Sequence, residues 1–125
     1  MPVFDCTLGE SLRIDSGIRL HLTGRVDAIL YLFIDAAAKY ELGGVGGFHA
    51  SAPSGMRRCA HVLALQDGES FCIGPVGVAV EAVRLQIPGA RALRDVRLRI
   101  DLPVPVRIVR EAPLRPRRRL RLRTG

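Results

Sequence analysis

The sequence contains no tryptophan, and aromatic residues make up only 5% of it. Its core must therefore be built from Val, Leu and Ile. No apolar run is long enough for a transmembrane helix, and no N-terminal charged region leads into a long apolar run, so the sequence predicts no signal peptide. We expect a cytoplasmic protein that does not enter a membrane. Its 125 residues correspond to one ordinary domain or two very small ones.

Residues that carry catalytic or metal-binding chemistry are also sparse. The three cysteines are odd in number and follow no paired spacing, which favours a reduced compartment with cysteines acting as small apolar fillers. The three histidines have no partners at metal-ligand spacing. No nucleophile lies in a pattern with a general base. We therefore predict that the protein is not an enzyme and that it needs no metal or other cofactor.

Positive charge is concentrated at one end of the chain. Residues 113–125 contain six arginines and no acid. Without those six, 13 of the 19 basic residues remain against 12 acidic ones, so the rest of the chain is nearly neutral. Such a run indicates either a phosphate-bearing partner such as nucleic acid or a contribution to solubility alone.

Apolar and polar residues alternate over short stretches along most of the chain, which is the period of a β-strand. In one such stretch Ile18, Leu20 and Leu22 fall on one face. A nearly continuous apolar run at 28–35 is expected to be covered on both faces. No amphipathic helix is predicted. The ten predicted strands are 2–6, 11–14, 18–24, 28–35, 38–42, 60–65, 70–73, 76–85, 96–100 and 106–111.

The same short pattern occurs twice. "LGESLRI" at 8–14 and "DGESFCI" at 67–73 share Gly-Glu-Ser, an apolar residue, any residue and Ile. Similar strands and turns surround both copies, which indicates a duplicated unit. The predicted organisation is a first repeat at 1–42, a Gly/Ser/Pro-rich flexible linker at 43–59, a second repeat at 60–112 and an Arg-rich tail at 113–125. The alternative is a ten-stranded sandwich or barrel whose halves are alike by chance.

Each half resembles the carbon storage regulator (CsrA/RsmA) family of small bacterial RNA-binding proteins. In the first half the matching segments are Val3–Cys6, "GESLRI", "IRLHLTG" and "LYLFIDAAAKYEL". In the second half they are "HVLAL", "GESFCI", "VGVAVEAV" and "VRLRIDLPVPVRIVRE". The resemblance implies an all-β fold in which two five-stranded units interlock as a pseudo-dimeric sandwich or barrel. The pairing would occur within one chain, as a monomer, or by strand exchange in a homodimer.

The resemblance also implies where RNA binds. Family members place the first strand of one subunit beside the last strand of the other and read a Gly-Gly-Ala sequence in single-stranded or loop RNA. One such site would join the first strand, including Val3, Phe4 and Asp5, to the last strand of the second half. The family's functional arginine falls at Arg110, and its equivalent in the first half falls at 43–44, where both residues are glycine. The other predicted RNA-binding residues are Arg107, Val109, Arg115, Arg117, Arg118 and Arg119.

The leading hypothesis is therefore a post-transcriptional regulator that binds an mRNA leader or a small RNA and controls translation. A second hypothesis is a protein-interaction module with a decayed RNA site, which binds another regulator or a member of the CsrA family. Asp5 and the apolar stretch at 63–65 favour this second hypothesis. A third is a structural β protein whose basic tail binds any polyanion.

Overall fold

The computed structural model describes residues 2–14, 17–83, 96–103 and 106–112. Those residues are all-β, and the strands form two antiparallel sheets. Within the described ranges no helix has the length and apolarity needed to cross a membrane. The strands are β1 (Val3–Cys6), β2 (Ser11–Ile14), β3 (Ile18–Val26), β4 (Ile29–Ala37), β5 (Leu42–Gly43), β6 (His49–Gly55), β7 (Arg58–Leu65), β8 (Ser70–Ile73), β9 (Val76–Val83), β10 (Val96–Asp101) and β11 (Ile108–Glu111).

The two halves of the chain exchange strands between the sheets. Sheet A has the order β1-β10-β9-β8-β5, so its three middle strands come from the second half and its outer strands from the first. Sheet B has the order β11-β2-β3-β4-β7-β6. There the three strands β2 to β4 of the first half lie between β11 and β7 of the second. Each half thus contributes its first and last strands to the sheet of the other.

Strand pairing is the same in both sheets. Cys6 pairs with Val96 in sheet A, and Leu65 pairs with Leu30 in sheet B. At the other side of each sheet, Ile14 and Ile73 occupy equivalent ends of their strands and pair with Ile108 and Leu42 respectively. Positions in the two halves can therefore be matched one to one through the backbone register.

The repeated Gly-Glu-Ser motif forms the same turn twice. The Glu10 carboxylate accepts a hydrogen bond of 2.7 Å from the Thr7 N–H, and Glu69 accepts one of 2.6 Å from the Gln66 N–H. The glycine before each glutamate has a positive φ, 92° in the first copy and 84° in the second, a conformation that glycine adopts without steric cost. The short sequence match therefore corresponds to a matched local structure.

The core lies between the sheets and is almost entirely aliphatic. Ile18, Leu20 and Leu22 are buried, as their alternation with polar residues predicts. Val76, Val78 and Val80 take the same role in sheet A. Phe71 is the one aromatic residue buried with them among the described positions.

The predicted flexible linker at 43–59 is corrected by the structure. This segment contains β6 and the start of β7, which pair as an antiparallel hairpin. All seven residues of β6 are exposed, so its sequence carries no apolar alternation. Backbone hydrogen bonds to β7 place it in the sheet, and composition alone does not report such bonds.

Two further expectations differ from the structure. The apolar run at 28–35 is buried on one face only: along β4 the residues alternate between buried and half-buried positions, and Tyr31 and Phe33 lie on the half-buried side. The strand predicted at 38–42 is reduced to the two residues of β5. The segment 86–95, which separates two of the predicted strands, and the Arg-rich tail at 113–125 lie outside the described residues.

Candidate nucleic-acid interface

The first and last strands of the chain meet where the two sheets come together. The Arg110 guanidinium carbon lies 5.9 Å from the centroid of the Phe4 ring, within the range of a cation–π contact. Phe4 pairs with Leu98 in sheet A, and Arg110 pairs with Leu12 in sheet B. Because both partners are buried core residues, Phe4 and Arg110 point toward the space between the sheets.

The exposure of the two side chains suits recognition of a planar ligand. Phe4 is half-buried and packs against the core, whereas Arg110 is exposed. The ring fixes the position of a guanidinium that keeps its hydrogen-bond donors and its flat surface available to solvent. Such a group stacks on aromatic rings and bonds carboxylate or phosphate oxygens.

Asp5 sits next to Phe4 but faces the other side of β1. Its carboxylate accepts hydrogen bonds of 2.8 Å and 3.2 Å from the Arg97 guanidinium across the β1–β10 pair. The hydrogen bond to Asp5, followed by the opposite charge, raises the pKa of Arg97. The negative charge of Asp5, which would repel a nearby phosphate, is therefore matched by a neighbouring cation.

The remaining predicted residues are only partly brought together. Val3 is 49% exposed at the start of β1. Arg107 is exposed just before β11. Val109 neighbours Arg110 in sequence, so its side chain points to the opposite face of the strand. Arg115, Arg117, Arg118 and Arg119 lie outside the described residues.

The matching place in the other half of the fold is built differently. The register puts Leu63 where Phe4 stands and Gly44 where Arg110 stands. Gly44 has a φ of 71°, so an arginine there would be strained. On this side β7 is followed by β6 in the strand order, whereas β1 is the outermost strand of sheet A. The chain thus presents its phenylalanine–arginine pair once.

The segment just before β6 lies close against β7 at this second place. The Ala64 N–H donates a hydrogen bond of 3.1 Å to the Phe48 carbonyl. A Cβ added at Gly47 would lie 2.8 Å from the Ala64 carbonyl oxygen. Only glycine allows this approach without displacement.

The sequence alone does not predict that Arg97 is the partner of Asp5. The alternation at 96–100 does place Arg97 on the outward face of its strand, but its neighbour depends on which strand pairs with β10. That strand comes from the opposite end of the chain. The outer face of sheet B, with His21, Tyr31 and Phe33, was also missed.

Among the described residues, no group of three or more His, Cys, Asp or Glu side chains is arranged to hold a metal ion. Comparison of the chain with protein-family models, with curated proteins and with solved structures finds no match. The site must therefore be interpreted from its own geometry.

Proposed function

We propose that the chain is a fused pseudo-dimer of the carbon storage regulator type and acts as an RNA-binding post-transcriptional regulator. The exchange of first and last strands between the two sheets supports this proposal, since the family's subunits interlock in the same manner. The equal strand registers and the repeated Gly-Glu-Ser turn support it further. A single polypeptide then supplies what two identical chains supply in the family.

One observation carries the functional part of the proposal: Arg110 of the second half is seated against Phe4 of the first. In the proposed complex, unpaired bases of a Gly-Gly-Ala loop lie along this strand boundary. Their edges bond strand backbone groups and the Arg110 donors, and the guanidinium supplies charge and a stacking surface. Single-stranded loops are suited to such readout because their bases are unstacked and their edges accessible.

The proposal includes one RNA site for each chain. The equivalent place at Gly44 and Leu63 has neither the cation nor the ring, and β6 lies beside β7 there. A Gly-Gly-Ala loop bound to one chain would therefore occupy the Arg110 place only.

An electrophoretic shift experiment tests the proposal. The intact protein is titrated against a hairpin with Gly-Gly-Ala in its loop and against the same hairpin with the triplet changed. We expect tighter binding of the first hairpin, and loss of that preference in Arg110→Ala. Arg57→Ala, at the exposed turn between β6 and β7, removes the same charge elsewhere and should keep the preference. Equal binding of both hairpins by the intact protein would reject sequence-specific recognition.

The structure of the second place favours one alternative, a protein-interaction module. Gly44 replaces the cation and β6 lies along the outer edge of β7, so this place is unsuited to recognition of a Gly-Gly-Ala loop. In this alternative, the exposed surface of the protein binds another regulator or a CsrA-family protein. Affinity capture with and without nuclease distinguishes the two functions. A partner protein that is still captured after nuclease treatment favours the interaction module, provided that no RNA is captured when nuclease is omitted.

A further inference from the structure

The outer face of sheet B carries a row of rings that the core does not use. The His21 and Phe33 rings lie side by side on neighbouring strands, with centroids 5.6 Å apart and planes inclined by 54°. Phe33 pairs with Val62 on the next strand, and Val62 is 39% exposed. Tyr31 lies two residues before Phe33 on the same face.

The row continues toward β6 through one exposed ring, which belongs to the residue before that strand. Tyr31 pairs with Ala64, and Ala64 is hydrogen-bonded to the backbone of Phe48, whose side chain is 63% exposed. We call the surface formed by His21, Tyr31, Phe33, Phe48 and Val62 the aromatic face. It is partly open to solvent and spreads over the three adjacent strands β3, β4 and β7 and the residue that precedes β6.

A row of charged side chains runs beside the aromatic face. Arg13 pairs with Arg19, and Arg19 pairs with Asp35, across three strands. This row lies two residues along the strands from the His21–Phe33 pair, a spacing of about 7 Å. Arg58 extends it on β7 through an ion pair of 3.1 Å with Asp35.

The charge of this row is positive on balance. Glu111 lies 3.2 Å from Arg19 and 3.9 Å from Arg13. The charged row therefore contains three arginines, at 13, 19 and 58, and two carboxylates, at 35 and 111. The ion pairs are partly exposed, so a competing anion has access to the guanidinium groups.

Sheet A shows that the fold does not require these rings. Its strands have the same register, so each outer position has a counterpart. His21 corresponds to Ala79, and Phe33 corresponds to Arg99. The Tyr31 and Arg19 positions are filled by Arg97 and Gly77. Because sheet A folds with small or charged residues at these places, the rings of sheet B are not explained by packing of the repeat.

Burial, together with the charge of Arg19, lowers the pKa of His21, and Asp35 and Glu111 oppose this only in part. At neutral pH the imidazole is therefore an uncharged flat ring. Its Nδ1 atom lies 2.7 Å from the Ser11 hydroxyl, which fixes the orientation of the ring.

We propose that the aromatic face is a second RNA contact, on which bases of single-stranded RNA stack while phosphates bind the neighbouring arginines. A neutral row of rings next to a row of guanidinium groups matches the two components of a single strand, its bases and its backbone. The inference rests on the proposed function and extends it. The strand β11, which carries Arg110, is the edge strand of sheet B, and the aromatic face lies on the opposite side of that sheet from the Arg110 side chain. RNA held at Arg110 would pass around β11 to reach the aromatic face.

The absence of tryptophan allows a direct test. Phe33→Trp gives the full-length protein one tryptophan on the aromatic face, and Arg99→Trp places one at the matching position of sheet A. The probe is a short oligouridylate, which contains no Gly-Gly-Ala. We expect it to quench the emission of Phe33→Trp and to leave that of Arg99→Trp unchanged. Absence of quenching in Phe33→Trp, or equal quenching in both, would overturn the inference.

Affinity measurements add a second test that does not depend on the reporter. Phe33→Tyr keeps a ring and should bind oligouridylate as the unaltered protein does. Phe33→Leu keeps apolar contact but not stacking, and should bind about tenfold to a hundredfold more weakly. Circular dichroism checks that both variants are folded. Equal affinity of folded Phe33→Leu and Phe33→Tyr contradicts stacking.

Failure of the aromatic face as an RNA contact and failure of the proposed function give different results. If Phe33→Leu leaves oligouridylate binding intact while Arg110→Ala abolishes the triplet preference, the aromatic face is rejected and the regulator proposal stands. If Phe33→Leu weakens oligouridylate and the triplet preference is absent, only the aromatic face is supported. A concentration-dependent blue shift of Phe33→Trp without RNA would identify a contact between copies of the chain and would overturn the RNA assignment.

Discussion

The Arg110 guanidinium is seated over the Phe4 ring, although the two residues belong to opposite ends of the described chain. They meet because β1 joins the sheet of the second half and β11 joins the sheet of the first. Neither half alone would place a cation beside that ring. The proposed RNA site is therefore formed by both halves of the chain and not by one half alone.

The packing of the segment just before β6 against β7 depends on one glycine. A methyl group at position 47 would meet the Ala64 carbonyl oxygen at 2.8 Å, whereas one at position 46 would meet Glu69 at an ordinary 3.6 Å. We expect Gly47→Ala to lower the free energy of unfolding by about 1–3 kcal/mol, a typical cost of overpacking. Gly46→Ala should have little effect.

Urea unfolding of the two variants measures this difference. Amide hydrogen exchange at Ala64 reports whether the loss is local, since its N–H bonds the Phe48 carbonyl. Equal stability of Gly47→Ala and Gly46→Ala would show that β6 is not packed as described.

The ion pair between Asp5 and Arg97 should set the charge that RNA meets at β1. Asp5→Asn leaves the Arg97 cation unopposed by this carboxylate, and Arg97→Ala removes the cation beside it. We expect RNA affinity to rise roughly fivefold in the first variant and to fall by a similar factor in the second, since each variant changes one exposed charge beside the proposed site. Filter binding at low salt measures both. A decrease in both variants would mean that the pair acts on structure and not on charge.

Stability should decrease under mildly acidic conditions because of two histidines. Burial lowers the pKa values of His21 and His61 below the usual 6.5, with smaller effects of Arg19 and His49 respectively. The folded state therefore binds protons less readily than the unfolded chain. The contribution to stability is complete above pH 6.5 and is lost as pH falls from 6.5 toward the folded pKa values.

Thermal unfolding at a series of pH values above and below 6.5 tests this sign. The double variant His21→Gln/His61→Gln should lose less stability than the unaltered protein over the same range. A steeper loss in the double variant would contradict the assignment.

The arginine tail should contribute affinity without selectivity. If all six of its arginines neutralise phosphates, the logarithm of the binding constant falls against the logarithm of salt concentration with a slope of about −4 for single-stranded RNA. Deleting residues 113–125 should remove that part of the slope and weaken all RNAs alike. A loss confined to the Gly-Gly-Ala hairpin would instead place the tail in sequence recognition.

Much of the architecture is predictable from the sequence, because alternation reports which side of a strand faces the core. Ile18, Leu20 and Leu22 are an example, and every predicted strand that falls within the described residues overlaps an observed one. The bond between Asp5 and Arg97 is not predictable in this way, since it depends on register between distant strands. The strand β6 is missed because exposed small and polar residues form it through backbone pairing alone.

The candidate site is predictable only in part for the same reason. The position of Arg110 follows from the repeat and from the family resemblance. That Arg110 contacts Phe4 follows only from the exchange of strands between sheets. The partly exposed rings of Tyr31 and Phe33 belong to the apolar run at 28–35. Without knowledge of the sheet order, such a run indicates burial on both faces.

In the proposed function each chain binds a Gly-Gly-Ala loop at one place, next to Arg110 and Phe4. Calorimetric titration of the intact protein with the Gly-Gly-Ala hairpin, repeated with Arg110→Ala, measures both the affinity and the number of hairpins bound. We expect one hairpin bound per chain, and loss of that binding in the variant. Two hairpins per chain, or one bound equally well by Arg110→Ala, would show that RNA is not recognised at this single place.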